Sequence, residues 1–381
     1  MGKFDVRINQ GKNSMTTKKR ITFFLDALHG GGAEKAVVKM LKGLSQRNDF
    51  DLDLVLAKLE GPYLDRVPKQ VRIVNLNTGR VITALFPLIN YLRQNRPWAL
   101  IGNMGHVNVV ATLAKKLSGI DTKLVLVEQN TLSASKSNLA RANLVPPLMK
   151  WLYPSADLVA GVSDGVARDL ENCLDFPTGM VKVLHNPIVD DELFANATEP
   201  LEHPWFGENQ PPVFLAVGRL NPQKDFPNLL QAFAMVRQKK SARLIILGEG
   251  ELRSQLEAMA IDLGISEDVA LPGFVKNPYA YMSRASCFVL SSREEGLPTV
   301  LIEAMACGCT VVSTDCPSGP EEILVGGKYG YLVPIQDSVA LSEGMLQALE
   351  HPLAQTTLIE RANCFSIDSA VEQYLSFLNS I

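Results

Sequence analysis

The stretch Cys287–Asp315, CFVLSSREEGLPTVLIEAMACGCTVVSTD, decides the fold. Cys287 to Ser291 is an apolar run of strand length, and Ser292 to Leu297 is polar and contains Gly296. Pro298 falls at the expected first helical position, where its missing N–H costs nothing. Gly308 falls just past the expected helix end, where a left-handed stop belongs. Thr310 to Ser313 is β-branched and apolar and reads as a second buried strand. The unit is therefore strand, loop, helix, strand. It carries Glu295 in the loop and Glu303 on the helix. A rise of about 1.5 Å per residue separates them by about 10–12 Å. They are too far apart to share a proton, but that separation suits the two ends of one extended ligand. The helix N-terminus between them favours an anion. Hydroxyls at both ends and an anionic middle describe a nucleotide sugar. Taken alone, the pair reads equally well as two surface acids on an ordinary α/β unit.

A chain of 381 residues exceeds one usual domain, so two are expected. With 46% apolar and 20% charged residues, it has the composition of a globular protein with a sizeable core. No apolar run reaches the roughly 18–20 residues of a membrane span. The opening residues lack the apolar core of a secretory signal. Residues 1–19 are expected to be a disordered or tag-like extension, with Met15 a candidate start. The six cysteines lack metal-ligand spacing and read as buried thiols in a reducing cytoplasm. The five histidines also lack it, so no metal site is expected. Residues 1–190 carry a net charge of +9 and residues 191–381 a net charge of −12. A basic half suits an anionic membrane or acceptor. No tight basic cluster with interleaved aromatics points to nucleic acid.

Outward from the opening unit, strand and helix patterns alternate through both halves. Ile21–Leu25 reads as a buried strand, followed by Gly30, Gly31 and Gly32 and an amphipathic helix. Phe50–Leu56 alternates, so Asp51 and Asp53 are expected on the solvated face of an edge strand. Residues 188–211 have little pattern and several prolines, and read as the boundary. Beyond them the alternation restarts at Val213. Repeated βα order in both halves implies two open, doubly wound parallel sheets, with ligands in the cleft between the domains.

The polar groups that stand out follow strands. Gly30 to Gly32, with Glu34, open the first helix, and glycines there let a ligand approach the backbone. The pattern fails G-x-G-x-x-G because Lys35 stands where the third glycine belongs, and GEG at 248–250 fails too. After Val213–Val217 comes GRLNPQK, where Arg219 offers a planar fork and Lys224 a point charge, a pairing suited to a diphosphate.

The sequence GGAEK, GRLNPQKDF, LGEGELRSQL, LPGFVKNP and EEGLPTVLIEAMACGCTVVSTDCPSGPEEIL, in that order, resembles the retaining glycosyltransferases of family four. The likeness runs nearly the whole length from Ile21, and Glu295 and Glu303 fall on that family's E-x7-E pair. It implies the GT-B architecture: a Rossmann-like acceptor domain over 20–190, a Rossmann-like nucleotide-sugar domain over 191–366, and a helix over 367–381 packing back on the first domain. Glu303 would then hold the ribose hydroxyls, and Glu295 would face the transferred sugar and steady charge at the reacting carbon. Gly296, Leu297, Pro298, Thr299 and Val300 would line the diphosphate, with Arg219 and Lys224 neutralising it as it leaves. Gly31, Gly32, Gly218 and Gly248 would border the donor, Phe274 and Val275 would hold the base, and Glu34 would face the acceptor. Where many members carry a histidine near the transferred sugar, this chain has Glu128-Gln129-Asn130. Asn130 or Gln129 could bond a sugar hydroxyl there, and His106, one βα turn earlier, could substitute.

The resemblance implies a UDP-sugar donor, with no cofactor or metal. The expected acceptor is a glycan or a polyprenyl-diphosphate-linked sugar, as in members that build bacterial surface glycans. Residues 129–156 contain no acid but carry Lys136, Arg141, Lys150 and the apolar Leu144, Val145, Leu148, Met149, Trp151 and Leu152. That composition suits peripheral contact with the inner face of the plasma membrane, although a core helix with solvated lysines reads equally well. Two rival readings stay open: a non-catalytic nucleotide-sugar binder, and another GT-B enzyme such as a nucleotide-sugar epimerase.

Overall fold

Every strand pairing among the described residues, 18–133 and 145–381 of the computed structural model, is parallel. The first sheet contains β1 (Lys19–Leu25), β2 (Phe50–Leu56), β3 (Val71–Asn75), β4 (Ala99–Asn103), β5 (Lys123–Glu128), β6 (Leu158–Gly161) and β7 (Lys182–Val183), in the order β3-β2-β1-β4-β5-β6-β7. The second contains β8 (Val213–Val217), β9 (Arg243–Leu247), β10 (Val269–Gly273), β11 (Cys287–Leu290), β12 (Val311–Thr314) and β13 (Tyr331–Val333), in the order β10-β9-β8-β11-β12-β13. These are the two doubly wound sheets expected from the repeated strand–helix order. Helices cover both faces, so inner strands such as β4 and β11 are buried along their whole length and read as continuous apolar runs.

The strand order fixes where a ligand can sit. In each sheet the chain winds outward from the first strand, returns to its other side, and winds the other way. Loops leaving β1 and β4, or β8 and β11, therefore diverge and open a crevice at the strand C-termini.

The chain passes between the two halves twice, side by side. The Ile188 and Val189 amides both donate to the Phe365 carbonyl, and the Ile367 amide donates to the Val189 carbonyl. The last helix, Ile367–Ser380, then lies on the first helix, Gly32–Gln46. Their approach is close at Gly43, where a Cβ would lie 2.4 Å from the Ile367 Cγ2 and 2.7 Å from the Val371 Cγ2.

Several local expectations are corrected. β1 begins at Lys19, inside the expected extension, and residues 1–17 lie outside the described residues. β2 is not an edge strand, since β3 covers it. Asp51 is exposed, but Asp53 is buried and accepts hydrogen bonds from Arg72 and Tyr91. The boundary segment contains a short helix, Asp191–Ala197, capped by the Asp190 carboxylate on the Leu193 amide. Cys287, Cys309 and Cys316 are buried and Cys307 is half-buried, but Cys173 and Cys364 are exposed. In the opening unit the helix is Thr299–Ala306, so Pro298 is its cap rather than its first residue. Gly308 takes the left-handed conformation, with φ +75°.

Candidate active site

Two loops at the crevice of the second sheet are built as one piece. After β8, the Asn221 side chain caps a single 3-10 turn, Pro222–Lys224, and Asp225 turns the chain with φ +47°. After β11, the Arg293 guanidinium donates to the Asp225 carboxylate at 2.8 Å, and the Arg293 amide donates to the Gln223 carbonyl. Gln223 Nε2 donates to the Glu294 carbonyl, and Ser291 Oγ donates to the Lys224 carbonyl. This lattice aims two side chains at each other. Lys224 Nζ donates to Glu295 Oε1 at 2.6 Å, and Ser292 Oγ donates to the same oxygen at 2.6 Å. Arg219 stands exposed on the β8 loop.

The glycines here have separate tasks. A Cβ on Gly218 would lie 3.1 Å from Lys224 Cε, so its absence lets the lysine stem cross towards Glu295. Gly248, with φ +144°, packs its α-carbon on the Gly218 carbonyl, which a Cβ would meet at 1.9 Å. A Cβ on Gly296 would lie 2.3 Å from the Gln129 carbonyl of the first sheet. The Gly296 carbonyl accepts from Ser163 Oγ and Ser318 Oγ, at 2.8 and 2.9 Å. The Glu295 loop is thereby clamped between the two halves. Leu297 and Pro298 are buried behind it, with Thr299 and Val300 half-buried at the start of the helix, whose first N–H groups have no intrahelical partner.

Glu303 lies one helical stretch further in and is 4% exposed. Its Oε1 accepts from Lys35 Nζ at 2.6 Å and from the Tyr279 hydroxyl at 3.0 Å. Lys35 comes from the first helix of the other half. Phe274, just past β10, is 81% exposed, and Val275 beside it is half-buried.

The first half contributes the loops after β1, β4 and β5. At Gly31 a Cβ would lie 2.5 Å from Glu34 Oε2, so the Glu34 carboxylate folds back over the helix start. Among the described residues outside its own helix turn, no atom lies within 4 Å of where a Gly32 Cβ would point, which leaves open space beside the backbone. His106 opens the helix after β4. Desolvation lowers its pKa, and the nearby Asp26 and Glu34 carboxylates oppose that. Asn130 is exposed, and its Cα lies 3.4 Å from where a Gly296 Cβ would be, which brings it to the Glu295 loop. Gln129 is buried and joins two carboxamides: Asn186 Nδ2 donates to its Oε1 at 2.7 Å, and its Nε2 donates to Asn103 Oδ1 at 3.2 Å.

Sequence reading did not find Lys35, Tyr279, Ser292, Ser163, Ser318, Asn103 or Asn186 as site residues. Asn103 had a usable signal, since it ends β4 beside the switch point. Lys35 and Tyr279 had none, because their partner Glu303 is distant in the chain.

Comparison with known proteins agrees with this geometry. Residues 30–192 match the model of Glycosyltransferase Family 4, and residues 202–364 match that of Glycosyl transferases group 1. A Campylobacter jejuni N-acetylgalactosamine-N,N'-diacetylbacillosaminyl-diphospho-undecaprenol 4-alpha-N-acetylgalactosaminyltransferase is 30% identical over 343 residues, covering 87% of this chain and 90% of its own. A second C. jejuni protein, a GalNAc-alpha-(1->4)-GalNAc-alpha-(1->3)-diNAcBac-PP-undecaprenol alpha-1,4-N-acetyl-D-galactosaminyltransferase, is 25% identical over 385 residues, covering 95% and 99%. In fold, the Anabaena protein HepE, crystallised with UDP and glucose, superposes with a TM-score of 0.75 at 19% identity, covering 95% of this chain and all of its own. Two parallel-sheet halves, a clamped carboxylate loop between them and these matches across both halves make one assignment: the chain belongs to the family-four glycosyltransferases of GT-B architecture.

Proposed function

We propose that this chain is a retaining, metal-independent hexosyltransferase that moves a sugar from a UDP-sugar to a polyprenyl-diphosphate-linked glycan during surface polysaccharide synthesis. The observation that carries this reading is the fixed Lys224–Glu295 pair at the crevice of the second sheet, with Glu303 further along the following helix. That spacing fits a donor whose sugar lies at Glu295, whose diphosphate lies at the start of helix Thr299–Ala306, and whose ribose lies at Glu303. The lipid-linked acceptors of the two Campylobacter relatives support the acceptor class, and the UDP complex of HepE supports the nucleotide.

The reaction breaks the bond between the anomeric carbon and the β-phosphate oxygen. Negative charge grows on that oxygen and positive charge on the sugar ring. Lys224, Arg219 and the helix N-terminus stabilise the first, and the Glu295 carboxylate stabilises the second. The acceptor oxygen attacks the same face and forms the new bond, and its proton passes to the departing β-phosphate. No protein base is then required, which fits Gln129-Asn130 standing where many relatives have histidine.

The exposed side of helix Val145–Leu152 supports peripheral contact with the cytoplasmic membrane face. Trp151 is 67% exposed, Leu148 lies beside it, and Lys116 sits 5.0 Å over the indole. Lys136, Arg141 and Leu144 lie outside the described residues. Among the described residues no helix is long and apolar enough to cross a membrane.

The test pairs two variants. Glu295→Ala should abolish transfer while UDP still raises the melting temperature. Glu303→Ala should weaken UDP binding at least about tenfold, the cost of losing hydrogen bonds to a charged acceptor. UDP at 100 times its Kd adds about 2.7 kcal/mol of stability, well within reach of a thermal shift. No shift with UDP, or a product with the anomeric configuration inverted by NMR, would overturn the reading.

A further inference from the structure

The carboxylate assigned to the ribose is already held by the opposite half of the molecule. Glu303 is almost fully buried, and an ion so placed needs a partner. Lys35 Nζ lies 2.6 Å from its Oε1 and 2.8 Å from the Tyr279 hydroxyl, which itself donates to Oε1. The ammonium also rests 5.5 Å from the Tyr279 ring centre. Burial alone would lower the Lys35 pKa, but Glu303 and Tyr279 more than reverse that, so the ammonium is charged. One helical turn on, Lys39 donates to the Ile188 carbonyl and pairs with Asp190 at 3.3 Å, where the chain crosses between the halves. The first helix thus grips the crossing with one lysine and the Glu303 carboxylate with the other.

We propose that Lys35 is a positioning residue for the donor: together with Tyr279 it fixes Glu303 through Oε1, so that Oε2 faces the ribose hydroxyls. Because Lys35 belongs to the first half and Glu303 to the second, ribose recognition depends on the two halves being together. This rests on Glu303 receiving the ribose, as proposed above.

Binding of UDP and of 2',3'-dideoxy-UDP by isothermal titration separates the possibilities. Wild-type protein should prefer UDP. Lys35→Met should lose about tenfold or more of its UDP affinity, the scale of a charge-assisted hydrogen bond. It should change little towards the dideoxy analogue, which has no hydroxyls for Glu303 to accept. Lys35→Arg should recover most of the loss, and Tyr279→Phe should show a smaller loss with the same selectivity. In transfer assays, Lys35→Met should raise the donor KM more than it lowers kcat. If Lys35→Met and Tyr279→Phe bind UDP as wild type does, or lose both ligands equally, the positioning role is wrong and Lys35 is only a strap. If the wild type itself does not distinguish the two ligands, the ribose reading of Glu303 fails first, and the role of Lys35 falls with it.

Discussion

Glu128, at the end of β5, is fully buried, and desolvation pushes its pKa up to about 7 from 4.5. The Asn108 amide, the Tyr153 hydroxyl and the Gly105 backbone N–H act against that rise without cancelling it. Between pH 4.5 and about 7 the unfolded chain has released this proton while the folded chain keeps it, so this residue's contribution to stability falls as pH rises through that window. Glu128→Gln keeps an acceptor for Asn108 and Tyr153 and removes the titration. Compared with wild type, the variant should gain of order 2–3 kcal/mol between pH 5 and pH 8, read from urea unfolding at each pH. Parallel pH profiles for the two proteins would show that Glu128 is solvated after all. At this scale the sequence singled out residues that sit on motifs, such as Glu295, Glu303 and Lys224, as candidates. It was silent on what those residues touch. Lys35 attracted notice for breaking a glycine pattern and closing the GGAEK motif, not for its partner, and Asp53 was placed in solvent because alternation in β2 says nothing about a further strand covering it.

Elements were the most legible scale, because their signals are local. The strand at Cys287, the stop at Gly308 and the loop after β8 all follow from periodicity and turn chemistry within a few residues. The elements read wrongly were the short ones. The helix Asp191–Ala197 hides among prolines, and the role of the GEG turn after β9 depends on a loop some thirty residues earlier. That turn reads as a possible donor loop, but its first glycine also has a steric task. Gly248→Ala would place a methyl 1.9 Å from the Gly218 carbonyl at φ +144°, where both backbone strain and collision oppose it. A loss of about 2–4 kcal/mol is expected, seen as a lower melting temperature, with poor transfer as a consequence. Gly218→Ala meets the Lys224 stem first, at 3.1 Å, and that stem can shift by a few tenths of an ångström. It should leave the melting temperature nearly unchanged but lower kcat by loosening the Lys224–Glu295 contact. Equal damage to stability from the two substitutions would contradict this division.

The whole molecule depends on contacts that no local pattern announces. The sequence made the two sheets legible because each strand–helix repeat is self-contained and the strand-end positions follow from the topology. Where the halves touch, the return of the last helix apart, is decided by pairs that no local pattern announces, such as Ser163 with Gly296 and His185 with Glu322. Another close approach lies at Gly165, in the first turn of helix Asp164–Leu174. A Cβ there would stand 2.5 Å from Ser318 Oγ and 2.9 Å from Ser318 Cα. The hydroxyl can rotate away, but the Cα is backbone and cannot, so a side chain at 165 must push the halves apart. Ser318 also supports the Gly296 carbonyl, so the first group to move would be the loop that carries Glu295. A displacement of about 1 Å at reacting groups can cost a hundredfold in rate. Gly165→Val should therefore lower kcat by about that factor, and Gly165→Ala by less. The apolar core of the first sheet continues into residues of the second half such as Leu215, Phe288 and Leu301, so the unfolding midpoint should fall as well, while small-angle scattering should show a larger radius of gyration. A Gly165→Val protein that transfers sugar at the wild-type rate would mean that the clamp around Gly296 is not needed for catalysis.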